Sequence, residues 1–228
     1  MDSRFRGNDD SAPCRTFRHL FAGLLVVIDV GHYAAEPGVI SASGVAEFEY
    51  NLAIALDVKA ELEKLRISVR LIGERGDYAE LHRRTREARG ADLFISVHHD
   101  SVKERLLPQA DRFAGFSLFV SRFNPFKAKS LACASAVGAR LRAQGFVPSR
   151  YHADAELGES RPFADEANGV HWYDNLAVGR SAAMAALLVE AGVIVNREEE
   201  ARMRDPAVRA RVAAAVAAGA RACLGKED

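Results

Sequence analysis

Apolar residues run without a break from Leu24 to Ile28, and the run closes on Asp29. A run this short and continuous predicts a strand buried on both faces of a sheet. Tyr33 to Gly44 is rich in Gly, Pro and Ser and predicts a loop. Ala46 to Leu65 carries apolar residues at Leu52, Ala55, Leu56 and Leu62, the spacing of one helix face. Ile67 to Ile72 predicts a second strand, Tyr78 to Arg89 a helix with a charged outer face, and Ala91 to Val97 a third buried strand. This order predicts an α/β fold: one domain with a mixed, mostly parallel twisted sheet flanked by helices.

Further along, Phe116 to Val120 predicts a short strand and Lys127 to Gln144 an Ala-rich helix. Ala185 to Val189 predicts a strand leading into Glu190, and Pro206 to Leu224 a closing helix. Pro148 to Asn175 has no clear period and reads as a long polar loop, of the kind that borders functional sites or stays unstructured. Met1 to Ser11 is polar and predicts a disordered extension. The expected boundaries are therefore an extension over 1–20 and a domain over 21–228.

Composition narrows the function classes. The chain has 228 residues, 49% of them hydrophobic, enough for one substantial core. Its 31 basic and 31 acidic residues cancel, which argues against a dedicated nucleic-acid binder and leaves local patches open. No run is long enough to span a membrane. Leu20 to Ile28, preceded by Arg15, Arg18 and His19, faintly resembles a signal-peptide core, but it lacks a clear small-residue cleavage site. Cys14, Cys133 and Cys223 are far apart and odd in number, so they read as small buried residues rather than a disulfide framework.

Candidate chemistry gathers where strands end. His32 and His98 each follow an apolar strand, Glu190 closes one, and Glu47 opens the first helix. In open α/β sheets, ligands bind outside the carboxyl ends of the strands. Two histidines, one carboxylate and a spare carboxylate are the parts of a hydrolytic zinc site: three ligands, a position for water and a general base. Each residue also has a plainer reading. Either histidine fits a hydrogen-bonded loop residue, Glu47 a charge complementing a helix N-terminus, and Glu190 a buried partner for an arginine. Glu49 competes with Glu47 as the ligand. There is no Gly-x-Ser-x-Gly elbow, His-Glu-x-x-His helix or phosphate-binding Gly-x-x-x-x-Gly-Lys loop.

The ordered motifs resemble the zinc-dependent N-acetylmuramoyl-L-alanine amidases, bacterial enzymes that trim peptidoglycan. The residues are Ile28-Asp29-Val30-Gly31-His32, Pro37-Gly38, Glu47 ahead of Asn51-Leu52-Ala53-Ile54-Ala55, and Arg84. Ala91-Asp92-Leu93-Phe94-Ile95-Ser96-Val97-His98 follows, then Leu188-Val189-Glu190-Ala191-Gly192 and Asn196. The resemblance covers roughly residues 24 to 224. His99 stands where many members have Ala, and Ala185 where a Pro is common. The resemblance implies one zinc per chain on His32, Glu47 and His98, with the register favouring Glu47 over Glu49. It implies Glu190 as general base and later acid, and cleavage of the amide joining N-acetylmuramic acid to L-alanine. It also implies a periplasmic or cell-envelope location. Asp29 and Asp100 are candidates for fixing histidine tautomers. His152, Glu156, Arg161 and Asp165 are candidates for contacting the stem peptide, Arg161 first because a guanidinium grips a carboxylate with two bonds. Some members are held inactive until a partner protein moves a blocking segment, so an activator of unknown identity is a further expectation. The competing readings are a metal-dependent phosphoesterase and a non-catalytic, zinc-stabilised wall-binding domain.

Overall fold

The computed structural model describes residues 23–225; the extension expected over 1–20 lies outside the described residues. One seven-stranded sheet runs through the domain in the order β2-β1-β3-β7-β4-β6-β5. The strands are β1 (Leu25–Val30), β2 (Ser68–Ile72), β3 (Leu93–Asp100), β4 (Ser117–Val120), β5 (Phe163–Asp165), β6 (Val170–Trp172) and β7 (Ala185–Val193). β2, β1, β3 and β7 are parallel, and β4 returns antiparallel to β7. The helices are α1 (Glu47–Lys64), α2 (Leu81–Glu87), α3 (Lys127–Ala143), α4 (Ala177–Ser181), α5 (Arg197–Arg204) and α6 (Pro206–Cys223).

Burial explains the layers. Val26, Ile28 and Val30 pack with Leu93, Ile95 and Val97 against α1, α3 and α6. Their neighbours Val27 and Phe94 point to the other face, where Ile72, Ala88, Leu176 and Val178 cover them. Both faces are covered, which is why these strands read as unbroken apolar runs. In α1 the buried stripe is Tyr50, Ile54, Ala55, Val58 and Leu62, whereas Leu56 is exposed. The apolar positions named from sequence thus straddle two faces, because Tyr50 and Val58 set the true one. α6 starts on a firm cap: the Asp205 carboxylate accepts the Ala207 N–H, and Pro206 fills the first turn, where a missing N–H costs nothing.

Three expectations need correction. Pro148 to Asn175 is not wholly irregular, since it contains β5 and β6 and widens the sheet beyond β4. Three-residue strands are too short to show a period in sequence. β3 and β7 run further than expected, so His98 and Glu190 lie inside strands rather than after them. Cys133 and Cys223 are joined in a disulfide that ties α3 to α6 across 90 positions. Spacing in sequence could not show this, because the pair is made by two helices that pack side by side.

Closing so long a loop restricts the unfolded chain strongly. Cys133→Ala/Cys223→Ala should lower the unfolding free energy by about 2–4 kcal/mol, read by urea titration. Reductant should shift the intact chain in the same direction and leave the double variant unmoved.

Candidate active site

The site is built from the end of β1. Gly31 continues the β1–β3 ladder by donating its N–H to the Val97 carbonyl, 3.0 Å. A Cβ at Gly31 would meet the His98 ring at 2.4 Å, so a side chain there would displace the imidazole. His32 follows with φ 66°, a left-handed conformation uncommon for a residue with a Cβ. Gly38 also has positive φ, and a Cβ there would strike the Glu47 carboxylate and the His32 ring. Both motif glycines are explained by this close approach.

Below His32, the Arg84 guanidinium is buried. It meets the Asp29 carboxylate at 2.6 Å and donates to the carbonyls of Val30, His32 and Tyr78. The Ser96 hydroxyl donates to the other Asp29 oxygen at 2.7 Å.

Glu47, the first residue of α1, is buried between the two histidines. Its Oε2 lies 2.9 Å from His32 Nε2 and its Oε1 3.1 Å from His98 Nδ1. Oε1 also accepts from the Asn51 amide (3.0 Å) and the His99 N–H (3.2 Å). Burial raises the pKa of this carboxyl, but the bonds and charges of His32 and His98 outweigh it and hold the group below the usual range. One atom each from His32, Glu47 and His98 lies within 4.8 Å of the others. Among the described residues no other such group of His, Cys, Asp or Glu occurs. Imidazole nitrogens and a carboxylate oxygen are donor types that zinc accepts.

Glu190 pairs in register with His98 across the β3–β7 ladder. Residues opposite each other on adjacent strands project to the same face. Glu190 Oε2 is buried and has no hydrogen-bond partner. Burial, then the negative charges of Asp100 and Glu47, push its pKa well above the ordinary carboxylate value. A cavity of about 350 Å³ opens beside His32 and His98, with an apolar wall that includes Leu81, Leu176 and Val178.

A family model described as N-acetylmuramoyl-L-alanine amidase matches residues 26–222. The chain belongs to this amidase family. It hydrolyses the amide between N-acetylmuramic acid and L-alanine in peptidoglycan, in a family that is generally metal-dependent. Relatives include the amidases AmiA of Escherichia coli K12 and Salmonella typhimurium, 27% identical over 214 residues, covering 86% of this chain and 74% of theirs. The catalytic domain of the amidase CwlV from Paenibacillus polymyxa is 27% identical, with 90% of this chain and 99% of that one covered and a TM-score of 0.69. The amidase Ami1 of Mycobacterium smegmatis, at 21% identity and a TM-score of 0.73, shares the fold over 90% of this chain and 99% of its own.

The amidase fold brings together some of the residues named from sequence and not others. Glu49 is exposed and turned away from the histidines, leaving Glu47 as the carboxylate between them. Arg161 stacks on the Tyr173 ring at 3.7 Å, and its positive charge opposes the rise in the Glu190 pKa. His152 is buried, with Nε2 2.6 Å from Asp100 and Nδ1 3.0 Å from Glu159. Both ring nitrogens are engaged, so His152 supports the rim rather than reaching a substrate. Asp165 lies on β5, three strands from β7, and its carboxylate closes a turn by accepting from Asn168. Glu156 is exposed, and its carbonyl accepts from Arg105. Asp100 fixes His152 and Tyr151, and Asp29 fixes Arg84, so neither holds the tautomer of His32 or His98. Asn51, which the sequence placed in a motif without a role, donates to Glu47 and lies 2.9 Å from His99 Nδ1 through its Oδ1. Its spacing four residues after Glu47 on a helix was the available signal.

Burial lowers the His152 pKa, but Asp100 and Glu159 outweigh it and raise it to about 9, against an ordinary 6.5. The group therefore contributes its full stability below about pH 6.5 and loses it as the pH rises through 9. The span corresponds to roughly 3 kcal/mol. The stability difference between the intact amidase and His152→Gln, measured by urea unfolding, should shrink from pH 6 to pH 9.5.

Proposed function

We propose that His32, Glu47 and His98 hold one zinc ion per chain and that Glu190 carries the proton in amide hydrolysis. The observation supporting this most directly is the in-register pairing of His98 with Glu190, whose Oε2 is buried and unpartnered. When bound, zinc supplies Lewis acidity to a carbonyl and lowers the pKa of water towards neutrality. Glu190 Oε2 takes a proton from the attacking water, keeps it in a site that favours the neutral acid, and returns it to the leaving L-alanine amine. Asn51 and the His99 N–H hold Glu47 in place, leaving its carboxylate no freedom to rotate out of the site. Arg161, fixed against Tyr173 and 3.6 Å from Glu159, takes a stem-peptide carboxylate.

A phosphoesterase with two metals would need a further carboxylate bridging them. Asp29 is paired with Arg84, and Asp100 with His152 while accepting the Tyr151 hydroxyl, which disfavours that reading. We also propose that the enzyme works in the cell envelope. Its substrate is there, and the Cys133–Cys223 disulfide persists in oxidising compartments such as the periplasm.

Glu190→Gln is nearly isosteric and leaves the three metal-binding side chains in place. It should retain one zinc by elemental analysis, yet turn over purified muropeptides on the order of 10²–10⁴ more slowly by mass spectrometry. Near-normal turnover removes Glu190 from the mechanism. Arg161→Ala should keep its zinc and lower kcat/KM on muropeptides that carry a free peptide carboxylate. Equal loss on a substrate with that carboxylate amidated would place the Arg161 contact elsewhere.

A further inference from the structure

The zero net charge of the chain hides an uneven distribution. Val26 lies beside Leu93, and Leu93 beside Ala185, so the parallel strands all begin at one edge of the domain. That edge is opposite the rim carrying His32, His98 and Glu190. The connections entering it carry Arg66 before β2, Arg89 before β3 and Arg180 before β7. Because β4 is antiparallel, α3 also starts there, bringing Lys127 and Lys129. Loop 121–126 is pinned at the same edge by Asn124, whose amide donates to the carbonyls of Gly179 (2.7 Å) and Met184 (3.1 Å).

All five cations are exposed, and none forms an ion pair among the described residues. Nearby acids are already engaged. Asp92 accepts the Leu25 N–H, Asp174 pairs with Arg122, and Glu61 and Glu63 pair with Lys64 and Lys59. Two large apolar side chains stand among these cations: Phe123 is 63% exposed and Phe126 47%. The Arg180 guanidinium lies 5.5 Å from the centre of the Phe123 ring.

We propose that this edge docks on an anionic phospholipid bilayer. Exposed aromatic rings enter the boundary between headgroups and acyl chains, while lysines and arginines meet the lipid phosphates. No helix among the described residues is long and apolar enough to cross a membrane, and the contact proposed is interfacial. Residues 1–22 join the domain at this same edge, ahead of β1, and are an alternative occupant. Their Arg4, Arg6, Arg15 and Arg18 outnumber Asp2, Asp9 and Asp10, so the segment offers no net negative charge to complement a cationic edge. The same surplus adds to the attraction for an anionic surface. Docked this way, the catalytic rim points away from the lipid: Glu190 lies five residues along β7 from Ala185, roughly 17 Å from the docking edge.

The test is sedimentation of the zinc-loaded full chain with phosphatidylcholine vesicles, with and without phosphatidylglycerol. The intact chain should bind only when phosphatidylglycerol is present and should be released by salt. Phe123→Ser/Phe126→Ser and Lys127→Glu/Lys129→Glu should each weaken binding about tenfold or more. Both variants should turn over soluble muropeptides at the intact rate, which also shows that they fold. The proposal is overturned if the intact chain ignores anionic vesicles, or if both variants bind as it does. It is equally overturned if the phenylalanine variant breaks a dimer in a chain that never binds lipid, because the face then belongs to a second copy.

Discussion

A single buried guanidinium sets the conditions for the site. Arg84 reaches from α2 to the Asp29 carboxylate and to three backbone carbonyls, those of Val30, His32 and Tyr78. Carbonyl groups at the end of a strand lose their ladder partners, and buried ones need others. Arg84 supplies them while its charge is balanced by Asp29. This lets β1 stop abruptly and turn His32 into a left-handed conformation that costs on the order of 1–3 kcal/mol by itself. The cost is met by an arrangement that leaves the chain little alternative. His32 reaches Glu47 from one side, and the absence of a Gly31 side chain lets His98 reach it from the other.

Electrostatics pushes the two central carboxyls in opposite directions. Glu47 is flanked by imidazoles and hydrogen-bond donors, which hold it in the charged form. Glu190 sits near the charges of Asp100 and Glu47 with Oε2 buried and unpartnered, which favours the neutral form. Under the proposed mechanism these opposite environments suit Glu47 to an acceptor-only role and Glu190 to moving a proton. The surrounding acids would repel one another without compensation. His152, raised to about 9, stays cationic between Asp100 and Glu159, and Arg161 adds a second positive charge near Glu190. His99, lowered to about 4 by burial, stays neutral and acts through Asn51 instead.

The parallel strands and the four central residues were legible in sequence because each rests on a local pattern. Continuous apolar runs marked β1 and β3, and His32, Glu47, His98 and Glu190 sat at recognisable places beside them. What stayed hidden depends on packing between distant segments. The disulfide needs α3 and α6 side by side, and β5 and β6 need an edge left free by β4. His152 looked like a loop residue facing a substrate because nothing local announced that Asp100, 52 positions away, would capture it. Asp165 misled for a similar reason: its charge suggested a ligand contact, but it serves a turn three positions long.

The direction of the chain also separates the two ends of the molecule. Helices that follow a parallel strand run back towards the strand starts, so their C-terminal ends collect at that edge. Cations at helix C-termini are favoured by the helix dipole, which accounts for Arg66 after α1 and Arg89 after α2 without any partner. Lys127 and Lys129 are different. They occupy the first turn of α3, where no acid is present and the dipole disfavours positive charge. They are at this edge only because β4 is antiparallel and delivers a helix N-terminus among helix C-termini. Helix chemistry therefore explains two of the cations and opposes two others, and the opposed pair adjoins Phe126 and lies just beyond Phe123. A compensating anion outside the protein is the simplest physical reason for lysines to stand where their own helix repels them.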